Sequence, residues 1–84
     1  MAVQIHAAAG LWRMGDGFGK EILLRLLDHQ DWFARAMAAY YIGEMGGGYE
    51  YRRLIQYLIR ETDPLTRAEL STALMKLHPK KDEP

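Results

Sequence analysis

The 84 residues contain no cysteine, which excludes disulfide staples and thiolate metal sites and fits a reducing compartment. A charge excess of either sign is missing too. Eleven Lys and Arg balance eleven Asp and Glu, so no net field would draw nucleic acid or anionic lipid to the whole molecule. No uninterrupted apolar run approaches the roughly 20 residues needed to cross a bilayer, and no basic segment precedes the first apolar residues. A cytoplasmic location with no membrane partner is expected. Walker loops, dinucleotide fingerprints and a Ser-His-Asp order are also absent. Gly15-Asp16-Gly17-Phe18-Gly19 is rich in glycine but follows a helical pattern, where a phosphate cradle would follow a strand, so it reads as a turn. What is present is ordinary for a globular chain, at 49% hydrophobic and 26% charged residues. At this length it forms one domain that buries about 60–65% of its unfolded surface.

The organising stretch runs from Asp31 to Gly46. It opens with a residue that can accept hydrogen bonds from free N–H groups of a first turn, continues with small and apolar residues at helical spacing, and stops at a glycine able to adopt the left-handed conformation. The same line can be laid over Asp63 to Leu77, with Arg67 matching Arg35, and less completely over Val3 to Gly15. Met14 to Met45 is 31 residues and Met45 to Leu77 is 32. Between these stretches, Ile22, Leu23, Leu26 and Leu27 form a helical stripe that Leu54, Ile55, Leu58 and Ile59 repeat. The first helix is read as burying Val3, Ala7, Leu11 and Met14, and the last as burying Leu65, Leu70, Ala73, Leu74 and Leu77. Helical pattern resumes at Lys20 after the Gly15 turn, and Gly46-Gly47-Gly48 reverses the chain before a helix starting near Tyr49. Asp63-Pro64 supplies a cap and a first-turn proline, and Pro79 stops the final helix. Five helices are predicted with no strand: an unpaired helix over 1–15, hairpins over 16–46 and 47–79, and a polar tail over 80–84. Together 1–79 form a single domain, since self-similarity at this period marks stacked helical pairs.

On these residues the chain resembles the HEAT repeat family, and more closely the short bacterial and archaeal type first recognised in phycobilin lyases. The likeness rests on Asp31 with Ala34-Arg35, on Ile42-Gly43-Glu44-Met45-Gly46, and on Asp63 with Thr66-Arg67 and Leu74-Met75-Lys76-Leu77. It implies an all-α, right-handed α-α superhelix of about two and a half repeats. It also implies a ladder of polar contacts between neighbouring repeats through Asp31, Arg35, Asp63 and Arg67. The first unit departs from the pattern, with Gln4 in the place of the arginine and no aspartate before Met1. The family's functions include scaffolds, transport factors, lyase subunits and DNA glycosylases, so the resemblance implies a fold more than an activity.

If the second helices line a concave wall, as the resemblance implies, equivalent positions stack in rows: Ile5, Ala36 and Ala68; Ala9, Tyr40 and Thr72; Trp12, Gly43 and Met75. Arg13, Glu44 and Lys76 run alongside. Trp12 beside Gly43, with Tyr40 one turn away, would make a pocket for a partner's apolar group, so Trp12, Arg13, Tyr40, Glu44, Met75 and Lys76 are the candidate partner-binding residues. The plain alternative is that Trp12 and Tyr40 pack on each other. His6, His29 and His78 lie in separate units without helical metal-pair spacing, so neither metal nor cofactor is expected. Arg52 and Arg53 with Tyr49, Tyr51 and Tyr57 combine cations and aromatics as single-strand binders do. Glu50 and Glu61 dilute that charge, and a solvated outer face is the preferred reading over a nucleic-acid surface. The expectation is a non-catalytic protein-interaction or scaffold module, with self-association through the unpaired first helix. The alternative is a lyase-like or chaperone-like subunit that holds a chromophore or other apolar ligand near Trp12 and Tyr40.

Overall fold

A computed structural model describes residues 2–80 and contains five α-helices: α1 (Ala2–Arg13), α2 (Gly17–Leu26), α3 (Trp32–Met45), α4 (Gly48–Arg60) and α5 (Pro64–Leu77). A short 3-10 turn over His78–Lys80 follows, and no strand occurs among the described residues. Lys80 thus belongs to a defined turn, while the rest of the expected tail, 81–84, lies outside the described residues.

Each later helix begins where a polar group meets the first free N–H donors. Asp16 accepts from Phe18 N–H at 2.9 Å, Asp31 from Phe33 N–H at 3.0 Å, and Asp63 from Thr66 N–H at 2.8 Å. Glu50 reaches back to Gly47 N–H at 2.7 Å to do the same for α4. The cap at Asp16 moves the start of α2 to Gly17, three residues before the predicted start at Lys20. Gly19 therefore lies inside a helix, against glycine's weak propensity there, and the reason is steric. A Cβ at Gly19 would stand 2.2 Å from the Ala8 carbonyl oxygen and 2.7 Å from Trp12 N, so only glycine lets α2 cross α1 this closely.

Gly46 also departs from expectation. Its φ of −80° and ψ of −176° are extended, and the one positive φ among the described glycines is at Gly15, at 88°, just past α1. Space explains the glycine at 46, because a Cβ would lie 2.7 Å from the Ile42 carbonyl oxygen.

Which faces are buried follows from how the helices stack. The broadest contacts are α3 on α5 and α1 on α2, with smaller ones within the α2/α3 and α4/α5 hairpins and between α1 and α3. The second helices are neighbours in the order α1, α3, α5. Glycine sets which seams are tight: Gly43 sits against Ala73, where a Cβ would come within 2.7 Å of the alanine Cβ, and Gly19 does the same for α1 and α2. The α1/α3 seam has the bulkier Trp12 and Tyr41 at the positions equivalent to Gly43 and Ala73, and makes fewer close contacts.

Three predicted stripes are corrected. In α1 the buried residues are Ile5, Ala8 and Ala9, while Val3 and Ala7 face solvent, as does Met14 just past the helix end, and Leu11 is half-buried. In α4, Leu54 is buried and Leu58 half-buried, but Ile55 and Ile59 are exposed, because this outer helix is covered on one side alone. In α5, Leu65 is exposed and Thr66 takes the inner position, its hydroxyl lying 2.9 Å from the Asp63 carboxylate and 3.0 Å from the Trp32 carbonyl oxygen.

Candidate functional site

Two sets of rows run across the stack, and each is covered in two units and bare in the third. The first set is Val3, Ala34, Thr66; Ala7, Ala38, Leu70; Gly10, Tyr41, Ala73; and Met14, Met45, Leu77, with steps of 31 and 32 residues throughout. In α5 these residues are buried against α3, Thr66 at 1% exposure and Leu77 at 0%, yet their equivalents Val3 and Met14 are both 80% exposed. The second set is Ile5, Ala36, Ala68; Ala8, Ala39, Ser71; and Trp12, Gly43, Met75. The α1 and α3 members are buried or half-buried, whereas Ala68, Ser71 and Met75 of α5 are exposed. One face of α1 and the opposite face of α5 are thus contact surfaces with nothing packed on them among the described residues.

This corrects the expected concave wall. A second helix in this stack is covered on two sides, so the apolar positions that recur with the repeat are those that meet the neighbouring units. Ile5, Ala36 and Ala68, and Trp12, Gly43 and Met75, are therefore seam rows, and the space expected beside Gly43 is filled by Ala73.

The candidate partner-binding residues fall in two groups. Trp12 is half-buried in the core, and Met75, at 76% exposure, lies at the far end of the stack, lining an apolar notch of about 390 Å³ with Tyr51, Leu74 and His78. Tyr40, Glu44 and Lys76 do come together. The Lys76 ammonium bonds the Glu44 carboxylate and stands 5.1 Å above the Tyr40 ring, while Arg13 stands 5.5 Å from the Tyr41 ring. The Lys76 bond holds the Glu44 carboxyl below its usual range and raises the Lys76 ammonium in return. Arg13 adds a weaker pull on Glu44 from the other side. Tyr40 meets Tyr41 edge-on at 5.2 Å, so its ring packs with a neighbouring tyrosine as well as with Lys76.

The polar ladder takes a different path from the one the resemblance implies. Asp31 and Asp63 cap their own helices, and Arg67 Nη1 donates to the Leu58 and Glu61 carbonyl oxygens within its own unit at 2.8 Å each. Arg35 Nη1 bonds His29 O, which matches Glu61 O, and also Gln30 O, at 2.8 Å each, but its remaining edge crosses to the next unit. Nε donates to Glu61 Oε1 at 2.8 Å and Nη2 to Oε2 at 2.9 Å, a bidentate pair. Glu61 also accepts the Asp63 N–H at 3.0 Å, so one carboxylate ties the loop before α5 to the arginine of the previous unit. The hydrogen bonds from Arg35 hold the Glu61 carboxyl below its usual range, and the bond from Glu61 raises Arg35. Glu61 was not among the expected ladder residues, since the matching position one unit earlier is His29 and no repeat in the sequence marks it.

Tyr57 donates to Asp28 at 2.9 Å, joining α4 to the turn that follows α2, and Arg53 donates to the Tyr49 hydroxyl at 3.1 Å. Lys20 pairs with the buried Glu50 at 3.0 Å. Tyrosines and cations on α4 are in this way engaged with each other and with neighbouring carboxylates. His6 bonds the Tyr41 hydroxyl, His29 Nδ1 accepts the Asp31 N–H, and the His78 ring meets Tyr51 edge-on at 6.0 Å, so all three histidines have structural partners. No group of three His, Asp or Glu suited to a metal ion occurs among the described residues. No described helix is long and apolar enough to cross a membrane.

A family model described as HEAT repeats matches residues 2–75. The chain belongs to the HEAT repeat family. Comparisons with curated proteins and with solved structures return no match. As a HEAT chain its helical solenoid is accounted for, and the family's common use is as a protein-interaction scaffold, generally without enzymatic activity. In this HEAT stack the two bare faces have the composition of the buried seams between its own repeats.

Proposed function

We propose that this chain is a small, non-catalytic protein-interaction module in a cytoplasmic setting, whose partners pack onto the open ends of its helical stack. The observation that carries the reading is the exposure of Val3 and Ala7 on α1 and of Met14 just past it, at positions whose equivalents Thr66, Leu70 and Leu77 are buried between units. Rows bare at one end and buried two repeats later are unfinished contacts, and adding a helix there recovers about 25 cal/mol for each Å² of apolar surface covered.

Self-association through α1 is the form of this reading that needs no other molecule. The α1 helices of two copies, meeting across a two-fold axis, would set Ala7 and Gly10 at the centre with Val3 and Met14 at the rim. Sedimentation velocity with light scattering tests it. The wild-type chain is expected to form a concentration-dependent dimer, and Ala7→Glu to weaken the dimer about tenfold or more because it buries an unpaired carboxylate. The helical circular dichroism should be unchanged, since Ala7 faces solvent in the single chain. A wild-type chain that stays monomeric at every concentration would overturn self-association. The apolar-ligand reading gains no support here, because the space it needed beside Gly43 is occupied by Ala73.

A further inference from the structure

The seam between α3 and α5 shows, within this chain, what the outer face of α5 is built to accept. Arg35 and Arg67 hold matching positions, and each fixes its guanidinium by directing Nη1 to two carbonyl oxygens of its own unit: His29 and Gln30 in the loop after α2 for Arg35, Leu58 and Glu61 at the end of α4 for Arg67. In Arg35 the remaining edge, Nε and Nη2, takes both oxygens of Glu61 from the next unit. In Arg67 that edge makes no hydrogen bond among the described residues. The rest of the seam translates in the same way. Pro64 stands where Trp32 offers its carbonyl to Thr66, and Ala68, Ser71 and Met75 stand, exposed, where Ala36, Ala39 and Gly43 are covered. The apolar notch beside Met75 gives the last apolar residue of an incoming helix somewhere to go.

We propose that the α5 end of the stack recognises an aspartate-capped amphipathic helix with a glutamate two residues before its cap, the glutamate docking bidentately on the free edge of Arg67. This deepens the reading of the chain as an interaction module and rests on it. A second copy's α1 does not meet the specification. It would present Val3 where the hydroxyl of Thr66 is needed. Its Arg13 would stand against Lys76, as Lys76 now stands against Glu44, which places like charges together. Charge complementarity selects a partner helix that is acidic at both points facing Arg67 and Lys76, and we assign that helix to a partner protein.

The chain supplies the probe: a fluorescent peptide copying residues 61–77 with Lys76→Glu, which carries Glu61, the Asp63 cap and the Thr66, Leu70, Ala73 and Leu77 face. Its binding to the full chain is read by fluorescence anisotropy. Saturable binding is expected, weakened about tenfold when the peptide carries Glu61→Gln, since a charge-assisted bidentate pair becomes a neutral one. Met75→Glu in the chain, at an exposed position that leaves the fold intact, should abolish it. Absence of binding overturns the proposal. So does binding that is indifferent to Glu61→Gln or survives Met75→Glu, which would mean that the peptide has replaced α5 on α3. The Ala7→Glu sedimentation experiment reads α1 alone, so failure of either reading is separable from failure of the other.

Discussion

Gly19→Val lowers the unfolding free energy by about 3 kcal/mol or more, measured by urea denaturation, while Gly10→Ala raises it by about 0.5–1 kcal/mol. Both glycines lie inside helices, where replacing glycine by alanine is worth up to about 1 kcal/mol from propensity alone. The difference lies in what the new Cβ meets. At Gly10 nothing stands within 4 Å, so propensity acts alone. At Gly19 the Cβ would fall 2.2 Å from the Ala8 carbonyl oxygen and 2.7 Å from Trp12 N, atoms of a helix backbone that cannot rotate aside, so α1 and α2 must separate. A chain of 84 residues has a total stability of about 4–12 kcal/mol, so the loss at position 19 removes a large fraction of it. Equal effects at the two positions would show that the α1/α2 crossing is not as close as described.

Glu61→Gln lowers stability by about 1–3 kcal/mol at neutral pH, less than a fully buried pair would lose because Arg35 and Glu61 lie at the rim of the molecule, with side chains 19% and 8% exposed. The substitution leaves Arg35 facing a neutral amide and weakens the tie to Asp63 N–H. The sign of the pH dependence follows from the hydrogen bonds that depress the Glu61 carboxyl. Its contribution is fully present above the ordinary glutamate value of about 4.5 and is lost as pH falls through the lower folded value. Wild type and Glu61→Gln should therefore differ at pH 7 and converge from about pH 4.5 downward. Asp63 and Glu44 are also depressed and destabilise both chains in acid, but they cancel in the comparison. A gap that widens on acidification would reverse the assignment.

Much of the fold could be read from the sequence because its signals are local. Asp31 and Asp63 announce their helices through a side chain that bonds within three residues, and the 31- and 32-residue steps from Met14 to Met45 to Leu77 fix the order of the stack. Faces were harder. In α1 the apolar spacing of Val3, Ala7, Leu11 and Met14 is as regular as that of Ile5, Ala8, Ala9 and Trp12, and periodicity alone does not say which stripe has a neighbour. For the same reason rows that recur with the repeat looked like a shared inner wall, whereas recurrence marks the seams, where every unit faces the same packing problem. At two glycines the local sequence points to a role other than the one the structure gives. Gly19 resembles a turn residue and serves a helix crossing, and Gly46 resembles a left-handed cap and serves a close approach to Ile42. Glu61 was invisible because the bond that gives it a role spans 26 residues and occurs once.

The correspondence of Val3, Ala7, Gly10 and Met14 with the buried Thr66, Leu70, Ala73 and Leu77 also bears on how such a chain can change over generations. Tandem duplication of one 32-residue cassette would bring the copy's Glu61 to Arg67 but set its Lys76 against Lys76, so lengthening needs one charge reversal, after which each added cassette hides what the previous one left wet. Arg67 shows the intermediate condition: a guanidinium anchored within its own unit, with the edge that Arg35 gives to Glu61 making no hydrogen bond among the described residues.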